Sequence, residues 1–304
     1  MRILVTGAAG YIGSALTQAL AGGDVLATDQ SDAPGGRILA GNLAYPPFTR
    51  SLVTPQVGVV FHLASLVSGG AEQNFELGTK VNLDATRDLL EACRLAGHRP
   101  KFVFASSIAV YGAGLQTVTD ETPASPRLSY GAQKLVCEIL IDDYSRKGYI
   151  DGCSLRLPTV MVRPGAANTA VSGWASAIIR EPLAGRDYVC PVRPDTRMAC
   201  ISLKKVVSAF IHASKTEIPD IRKTILLPGI SVSAQQMWDA VKGRAKGRVR
   251  FEPDPTLQAI MDSVPKQTVS RKAESLGFRG SMDIEEIVDE YEKDHSDPAF
   301  PRHG

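Results

Sequence analysis

A tyrosine and a lysine stand four residues apart, at Tyr130 and Lys134, in a segment whose pattern predicts a helix over 129–147. Residues four apart lie on one face of a helix, so the lysine ammonium can lie near the tyrosine phenol. A phenol has a pKa of about 10, and a neighbouring positive charge favours its phenolate form. The pair therefore predicts a general base for an alcohol proton.

A third polar side chain, Ser107, ends a predicted strand in the run Ala105-Ser106-Ser107. Its hydroxyl can hydrogen-bond the substrate oxygen that Tyr130 would deprotonate, which makes both residues predicted substrate contacts. On a scaffold that binds a dinucleotide, the three residues predict oxidation of a carbinol.

A dinucleotide site is predicted at the N-terminus, where Gly7, Gly10 and Gly13 follow an apolar strand and open a predicted helix over 11–21. The first glycine allows a tight turn, the second lets the backbone approach the pyrophosphate, and the third lets helix and strand pack closely. The helix N-terminus also offers unpaired N–H groups and a positive dipole end to the phosphates.

Coenzyme choice is predicted from Asp29, which ends the second predicted strand. A carboxylate at that point accepts hydrogen bonds from both hydroxyls of the adenosine ribose and repels a 2′-phosphate. The next basic residue along the chain is Arg37. The expected cofactor is therefore NAD and not NADP.

The composition points to a small-molecule partner. The 304 residues carry 34 basic and 32 acidic side chains, so no electrostatic attraction to nucleic acid or to a membrane surface is expected. No apolar stretch approaches the roughly 20 residues of a membrane helix. Five cysteines without a Cys-x-x-Cys pair predict neither disulfides nor a metal site, and favour a reducing cytoplasm.

The elements that must position these residues alternate between apolar strands and helical patterns, which predicts the α/β class with a Rossmann-type doubly wound parallel sheet. After about residue 157 the chain is punctuated by proline and glycine, which predicts a smaller C-terminal substrate-binding lobe. We expect residues 1–160 to form an NAD-binding domain that carries the catalytic residues. Residues 161–304 would form mostly the second lobe, with some segments returning to the sheet; its helices are predicted over 203–213, 234–241 and 284–291.

Several motifs together resemble the extended short-chain dehydrogenase/reductases over nearly the whole chain. They are Thr-Gly-x-x-Gly-x-x-Gly, His62-Leu63-Ala64-Ser65, Asn82, Ser106-Ser107-x-x-Val110-Tyr111-Gly112 and Tyr130-x-x-x-Lys134. The resemblance implies that Tyr130 is the general base, that Lys134 lowers its pKa and holds the nicotinamide ribose, and that Ser107 orients the substrate. It implies a structural role for His62. It also implies an NAD site lined by Gly7, Gly10, Tyr11, Ile12, Asp29, Asn42, Leu43, Leu63, Ala64, Asn82, Tyr130, Lys134 and Pro158. Asn42 stands where the superfamily usually has an aspartate that contacts adenine.

A narrower resemblance links the chain to the D-erythronate dehydrogenases, a family of bacterial sugar-acid enzymes within this superfamily. It is carried by Val67-Ser68-Gly69, Tyr130-Gly131-Ala132-Gln133-Lys134, Leu155-Arg156-Leu157-Pro158-Thr159, Val162-Arg163-Pro164-Gly165 and the run from Ile178 to Gly185. It implies oxidation of the C2 hydroxyl of a four-carbon aldonate to the 2-keto acid.

The substrate carboxylate calls for a charged partner, and Arg197 is the predicted one because a guanidinium binds a carboxylate through two hydrogen bonds. Arg197 stands at a position that resembles the phosphate-binding arginine of nucleotide-sugar relatives. The alternative is a surface ion pair between Arg197 and Asp195.

Assembly as a homodimer is expected because the helical segments 83–95 and 135–144 carry apolar residues on more than one face. In the resembled superfamily the matching helices pair in a dimer. Two other functions are compatible with the sequence. One is a nucleotide-sugar epimerase or dehydratase that recycles its NAD, which Thr159-Val160 disfavours; the other is a non-catalytic NAD-sensing regulator.

Overall fold

The computed structural model describes residues 1–31, 38–165, 171–219 and 222–296. Its strands are β1 (Arg2–Thr6), β2 (Val25–Asp29), β3 (Ile38–Ala40), β4 (Val57–His62), β5 (Lys101–Ser107), β6 (Thr117–Val118), β7 (Asp151–Leu157), β8 (Thr159–Met161), β9 (Tyr188–Cys190), β10 (Arg197–Ser202), β11 (Thr224–Leu226), β12 (Ile230–Ser233), β13 (Val249–Phe251) and β14 (Gln267–Thr268). Its α-helices are α1 (Tyr11–Ala19), α2 (Pro46–Ser51), α3 (Ser68–Gln73), α4 (Phe75–Gly78), α5 (Ala85–Ala96), α6 (Ser129–Arg146), α7 (Gly173–Leu183), α8 (Leu203–Ala213), α9 (Ala234–Asp239), α10 (Pro255–Ser263), α11 (Arg271–Ser275) and α12 (Ile284–Ser296). A π-helical turn at Thr79–Asp84 joins α4 to α5, and a 3-10 turn at Ile108–Val110 follows β5.

The main sheet has the strand order β11-β7-β5-β4-β1-β2-β3, and the strands from β1 to β5 within it pair in parallel. The order reverses between β1 and β4, because the chain moves outward to one side through β2 and then returns to the other through β4. In open α/β sheets, ligands bind beyond the carboxyl ends of the strands that flank such a reversal. The α/β class and the Rossmann-type sheet predicted from the sequence are confirmed.

Helix α6 was predicted over 129–147 and ends one residue earlier, at Arg146. Helix α8 has the predicted range, 203–213. Helix α5 ends at Ala96, one residue beyond the predicted helical segment 83–95, because Gly97 adopts a left-handed φ of 73° that ends the helix. Helix α7 was not predicted, since Pro182 reads as a helix breaker. That proline lies in the last turn of α7, and buried Trp174, Ile178 and Ile179 hold the helix through packing.

The chain divides into two compact units, and the first holds 1–110, 128–156 and 207–225. Its core lies between the main sheet and helices α5 and α6, and is built from apolar side chains such as Leu4, Val60, Leu89, Phe102 and Ile141. Apolar burial of this kind is the main favourable term that fixes the sheet and helices around the glycine loop.

The second unit holds 111–127, 157–206 and 226–304, so it includes a segment that precedes the boundary predicted near residue 160. That segment is tied in by β6, which pairs with β14. A three-stranded sheet, β12-β10-β8, supports a separate core that includes Trp174, Met198 and Met237. The five cysteines are free thiols and all are buried. Among the described residues, no helix is long and apolar enough to cross a membrane.

Candidate active site

The glycine loop between β1 and α1 is closed so tightly that side chains have no room. Gly7 has a φ of 72°, and a Cβ there would lie 2.6 Å from the amide nitrogen of Ala64. A Cβ on Gly13 would lie 2.0 Å from the carbonyl oxygen of Gly7. Gly10 precedes α1 without a side-chain cap on the helix N-terminus. The bare backbone and the uncapped N–H groups fit the pyrophosphate of a dinucleotide.

Asp29 ends β2 and contacts the glycine loop directly. Its Oδ2 accepts a hydrogen bond of 3.0 Å from the amide of Ala9, and its Oδ1 accepts one of 2.7 Å from the amide of Gln30. Oδ1 also accepts a longer hydrogen bond of 3.4 Å from the amide of Ser31. A carboxylate has about four lone-pair positions, so Oδ2 keeps a position for a ribose hydroxyl, and a second hydroxyl would have to replace the long bond from Ser31. Arg37, the first basic residue after Asp29, lies outside the described residues.

The predicted adenine-side residues follow β3. Asn42 is exposed, and its Oδ1 accepts a hydrogen bond of 2.9 Å from the amide of Ala44. This bond leaves the Asn42 amide NH₂ group to donate elsewhere. Leu43 is 8% exposed and packs into the core of the first unit. On α1, Tyr11 is buried and Ile12 is half-buried.

Asn82 holds the loop that follows β4 and contains Leu63 and Ala64. It is 1% exposed, and its Oδ1 accepts hydrogen bonds from Ser65 Oγ at 2.9 Å and from the Leu66 amide at 2.7 Å. Its Nδ2 donates to the Leu66 carbonyl at 3.0 Å and to Gln133 Oε1 at 2.7 Å. With all four bonds made inside the protein, the Asn82 side chain shapes the loop after β4 and joins it to α6.

His62 is a buried, neutral residue at the end of β4. Its Nδ1 lies 2.7 Å from Thr6 Oγ1 and its Nε2 lies 2.8 Å from Thr86 Oγ1. Burial, reinforced by the charge of Lys134, lowers the pKa of His62 to about 3. The imidazole therefore bridges β1 and α5 without a charge, in keeping with the structural role inferred from the sequence.

Tyr130 and Lys134 occupy the first turns of α6, as the spacing predicts. The Lys134 nitrogen lies 5.5 Å from the centre of the Tyr130 ring and 4.6 Å from the centre of the Phe104 ring on β5. Lys134 is 1% exposed, and this burial lowers its pKa to about 8. The carboxylate of Glu138 opposes that shift. Near neutral pH the ammonium beside Tyr130 is still largely charged, which favours the phenolate.

Ser107 ends β5 and is half-buried. Its Oγ accepts a hydrogen bond of 3.1 Å from the amide of Ala109 in the following turn. Because this bond uses a lone pair, the hydroxyl proton is left to donate to a substrate oxygen.

Two buried residues, Glu138 and Ser106, and the partly buried Arg156 lie next to this set, and none of them was predicted to take part in the proton transfer. The Glu138 carboxylate accepts hydrogen bonds from Ser106 Oγ and, in a two-pronged arrangement, from Arg156 Nε at 3.0 Å and Nη2 at 2.7 Å. Glu138 and Ser106 are each 2% exposed. The available sequence signal was the spacing, since Glu138 stands four residues after Lys134 on the same helix.

The second unit carries two further predicted residues, Pro158 and Arg197. Pro158 lies between β7 and β8, against Gly229, where a Cβ would approach the proline ring to 2.9 Å. Arg197 begins β10, is exposed, and donates from Nη1 to the carbonyl oxygen of Ser231 at 3.1 Å. Asp195, the alternative partner, contacts Arg193 at 3.4 Å.

Two other arginines that could bind a carboxylate are occupied by protein groups. Arg156 pairs with Glu138 at 2.7 Å. Arg180 pairs with Glu181 at 2.7 Å and donates to the carbonyl of Arg163. Arg197, whose described partner is a backbone carbonyl, therefore stays the first candidate for a substrate carboxylate.

The chain is similar to NAD-dependent enzymes that act on sugars and sugar acids. The sequence profile of the NAD dependent epimerase/dehydratase family matches residues 3–219. A D-erythronate dehydrogenase from Cupriavidus necator is 39% identical over 97% of this chain and 98% of its own length. One from Haemophilus influenzae is 37% identical over 96% and 98%. The crystal structure of a nucleoside-diphosphate-sugar epimerase from Agrobacterium tumefaciens superposes with a TM-score of 0.91 at 35% identity, over 99% of this chain and 96% of the other.

Proposed function

The chain belongs to the NAD dependent epimerase/dehydratase family, and on that premise we propose that it oxidises the C2 hydroxyl of D-erythronate to 2-dehydro-D-erythronate. The protein is an NAD-dependent oxidoreductase. The observation that carries the substrate is the match to two D-erythronate dehydrogenases at 39% and 37% identity over nearly the full length of all three chains.

Tyr130 is the proposed base. Its phenolate takes the proton of the C2 hydroxyl, and the buried ammonium of Lys134 stabilises the negative charge on the phenol beforehand. Ser107 donates its hydroxyl proton in a hydrogen bond to the same substrate oxygen, which its bond from Ala109 leaves it free to do. The substrate oxygen is thus held while the carbon becomes a carbonyl.

NAD, when bound, supplies the acceptor for the hydride that leaves C2. We assign the pyrophosphate to the backbone of Gly7 and Gly10 and the start of α1, with Tyr11 and Ile12 beside them. We assign the adenosine ribose to Asp29 and the adenine to Asn42 and Leu43. The remaining proposed contacts are Leu63, Ala64, Tyr130, Lys134 and Pro158, with Asn82 acting through the loop that it holds.

The substrate carboxylate is proposed to bind Arg197. A small hydroxy acid presents few groups to a protein, so a two-pronged guanidinium contact would supply both affinity and orientation. Loss of the weak bond to the Ser231 carbonyl would be offset by a charged partner.

A nucleotide-sugar epimerase is the second candidate, favoured by the likeness to the epimerase structure from Agrobacterium tumefaciens. The two functions differ in the fate of the cofactor, because an epimerase regenerates NAD in each turnover. We would incubate the protein with NAD and a panel of four- to six-carbon aldonates and follow NADH absorbance. Steady NADH release with D-erythronate supports the dehydrogenase; no release, together with conversion of a nucleotide sugar, would replace it with the epimerase.

We further propose a homodimer in the cytoplasm. Leu95 on α5 is 66% exposed and Ile139 on α6 is 60% exposed. Large apolar side chains exposed on two neighbouring helices are typical of a surface that a second protein molecule covers. The five free thiols suit a reducing compartment.

A further inference from the structure

The buried carboxylate of Glu138 connects the three elements that carry the proposed chemistry. Glu138 lies on α6, Ser106 lies on β5 next to Ser107, and Arg156 lies on β7. The carboxylate accepts hydrogen bonds from both of these partners. A single side chain therefore joins the strand end that bears Ser107 to the helix that bears Tyr130 and Lys134.

Helix periodicity places Glu138 close to the reacting residues. It follows Lys134 by four residues and Tyr130 by eight, so all three lie along one side of α6. On β5, Phe104 and Ser106 are two residues apart and share one face of the strand. Phe104 meets Lys134, and Ser106 meets Glu138.

A buried ion pair such as Glu138–Arg156 is not expected to contribute much to the free energy of folding. Replacing a buried pair with well-packed apolar side chains is often neutral or stabilising, since removing two charges from water is costly. A buried carboxylate at this position does provide something that apolar packing cannot. It places a negative charge on the same side of α6 as a lysine whose charged form burial disfavours.

The groups around Lys134 come from four elements of the first unit. Helix α6 contributes Tyr130, Cys137 and Glu138, of which Cys137 is a neutral thiol because burial raises its pKa to about 11. Strand β4 contributes His62, which is neutral. Strand β7 contributes the guanidinium of Arg156, and β5 contributes the uncharged Phe104 and Ser106. Glu138 is therefore the anionic group near the ammonium among these residues.

We infer that Glu138 is a positioning residue of the proposed oxidation: it keeps Lys134 charged beside Tyr130 and fixes the strand end that bears Ser107. The inference rests on the proposed roles of Tyr130 and Lys134. It adds a residue that touches neither substrate nor cofactor, and acts through two neighbours.

The charge effect is tested with Glu138→Gln. Tyr130 is titrated by tyrosinate absorbance as the difference between each protein and the same protein carrying Tyr130→Phe, which removes the signal of the other tyrosines. If Glu138 holds Lys134 charged, its loss discharges the lysine, and Tyr130 ionises at a pH higher by at least about half a unit. An unchanged midpoint, or one at lower pH, overturns the inference.

The matched control is Asp143→Asn on the same helix. Asp143 forms an exposed ion pair with Arg146 at 2.5 Å, so this substitution also removes one carboxylate from a helical ion pair. We expect no change in the Tyr130 midpoint. A shift as large as that of Glu138→Gln would show a general effect of helix charge and would overturn the inference.

The anchoring effect is tested with Ser106→Ala, which removes one hydrogen bond and no charge. We expect kcat to fall at least about fivefold while the Kd for NAD and the Tyr130 midpoint stay unchanged, because misplacement of Ser107 affects the reacting geometry. A purely structural role would lower the melting temperature and leave kcat per NAD-binding site unchanged, which would overturn the inference. If Glu138→Gln does not fold, this variant alone decides.

These measurements separate the inference from the proposed substrate. If the unmutated protein forms no NADH with D-erythronate, the proposed function fails. The absorbance titration needs no substrate, so the role of Glu138 toward Lys134 is still decided.

Discussion

The side-chain nitrogen of Lys134 lies 5.5 Å from the centre of the Tyr130 ring, on the same face of α6. The two residues are close enough for the ammonium to favour the phenolate. Replacement of Tyr130 by phenylalanine keeps the ring and removes the ionisable oxygen. We expect kcat to fall at least about a hundredfold, with the Kd for NAD and the melting temperature nearly unchanged. Steady-state kinetics and calorimetric NAD titration would check this, and near-wild-type turnover would refute the assignment of the base.

The pH profile should show the charge of Lys134 directly. Burial lowers its pKa to about 8, so the fraction of ammonium decreases as the pH rises through that value. If the charge is needed, kcat/KM for D-erythronate should decline above about pH 8. The decline would be measured from pH 6 to 10 with a buffer series of constant ionic strength. A profile that rises steadily to pH 10 would show that the neutral lysine suffices.

Coenzyme preference should depend on Asp29, and two variants separate its two roles. Asp29→Asn removes the charge but keeps an oxygen that can accept from the Ala9 amide, and Asp29→Ala removes both. Both should narrow the preference for NAD over NADP, because repulsion of a 2′-phosphate is lost. Asp29→Ala should also raise the KM for NAD further, because the glycine loop loses a hydrogen bond. Equal use of both coenzymes by the unmutated protein would contradict the assignment.

Recognition of the substrate carboxylate should depend on Arg197. Arg197→Lys keeps the charge and loses the planar fork, so kcat/KM for D-erythronate should fall at least about tenfold while the Kd for NAD changes little. Arg193→Lys is a matched control, because Arg193 is an exposed arginine in the same segment that already pairs with Asp262. Unchanged kcat/KM in Arg197→Ala would exclude Arg197 as the partner of the substrate carboxylate.

The homodimer should depend on the apolar faces of α5 and α6. Ile139→Glu places a charge on a side chain that is 60% exposed, and we expect a shift from dimer to monomer mass in light scattering at micromolar concentration. Met282→Glu, at a residue that is 78% exposed in the second unit, should leave the mass unchanged. A monomer mass for the unmutated protein would contradict the proposed homodimer.

The sheet was largely predictable because its strands are apolar runs such as Val57–His62, which is buried along most of its length. Strand β3 was not predicted, since its apolar run is only three residues long and two of them are exposed. The glycine loop and the Tyr130–Lys134 pair were predictable because their chemistry depends on spacing within one element.

Contacts between distant parts of the sequence were harder to foresee. Glu138 looks like an ordinary helix carboxylate until β5 and β7 are placed beside it, because its partners Ser106 and Arg156 stand 32 and 18 residues away. Asn82 was predicted at the cofactor site, but its four hydrogen bonds within the protein depend on the path of the loop after β4. Pairings of this kind are set by the packing of elements and leave no periodic signal.

The buried thiols give the protein its own reporters of unfolding. Alkylating reagents attack the thiolate of an accessible cysteine, and burial raises the pKa of Cys93 to about 12 and that of Cys190 to about 11. At pH 8 these groups are therefore shielded twice, by lack of access and by protonation. Cys93, Cys137 and Cys153 lie in the first unit and Cys190 and Cys200 in the second, so the order in which mass spectrometry finds them alkylated would reveal which unit opens first.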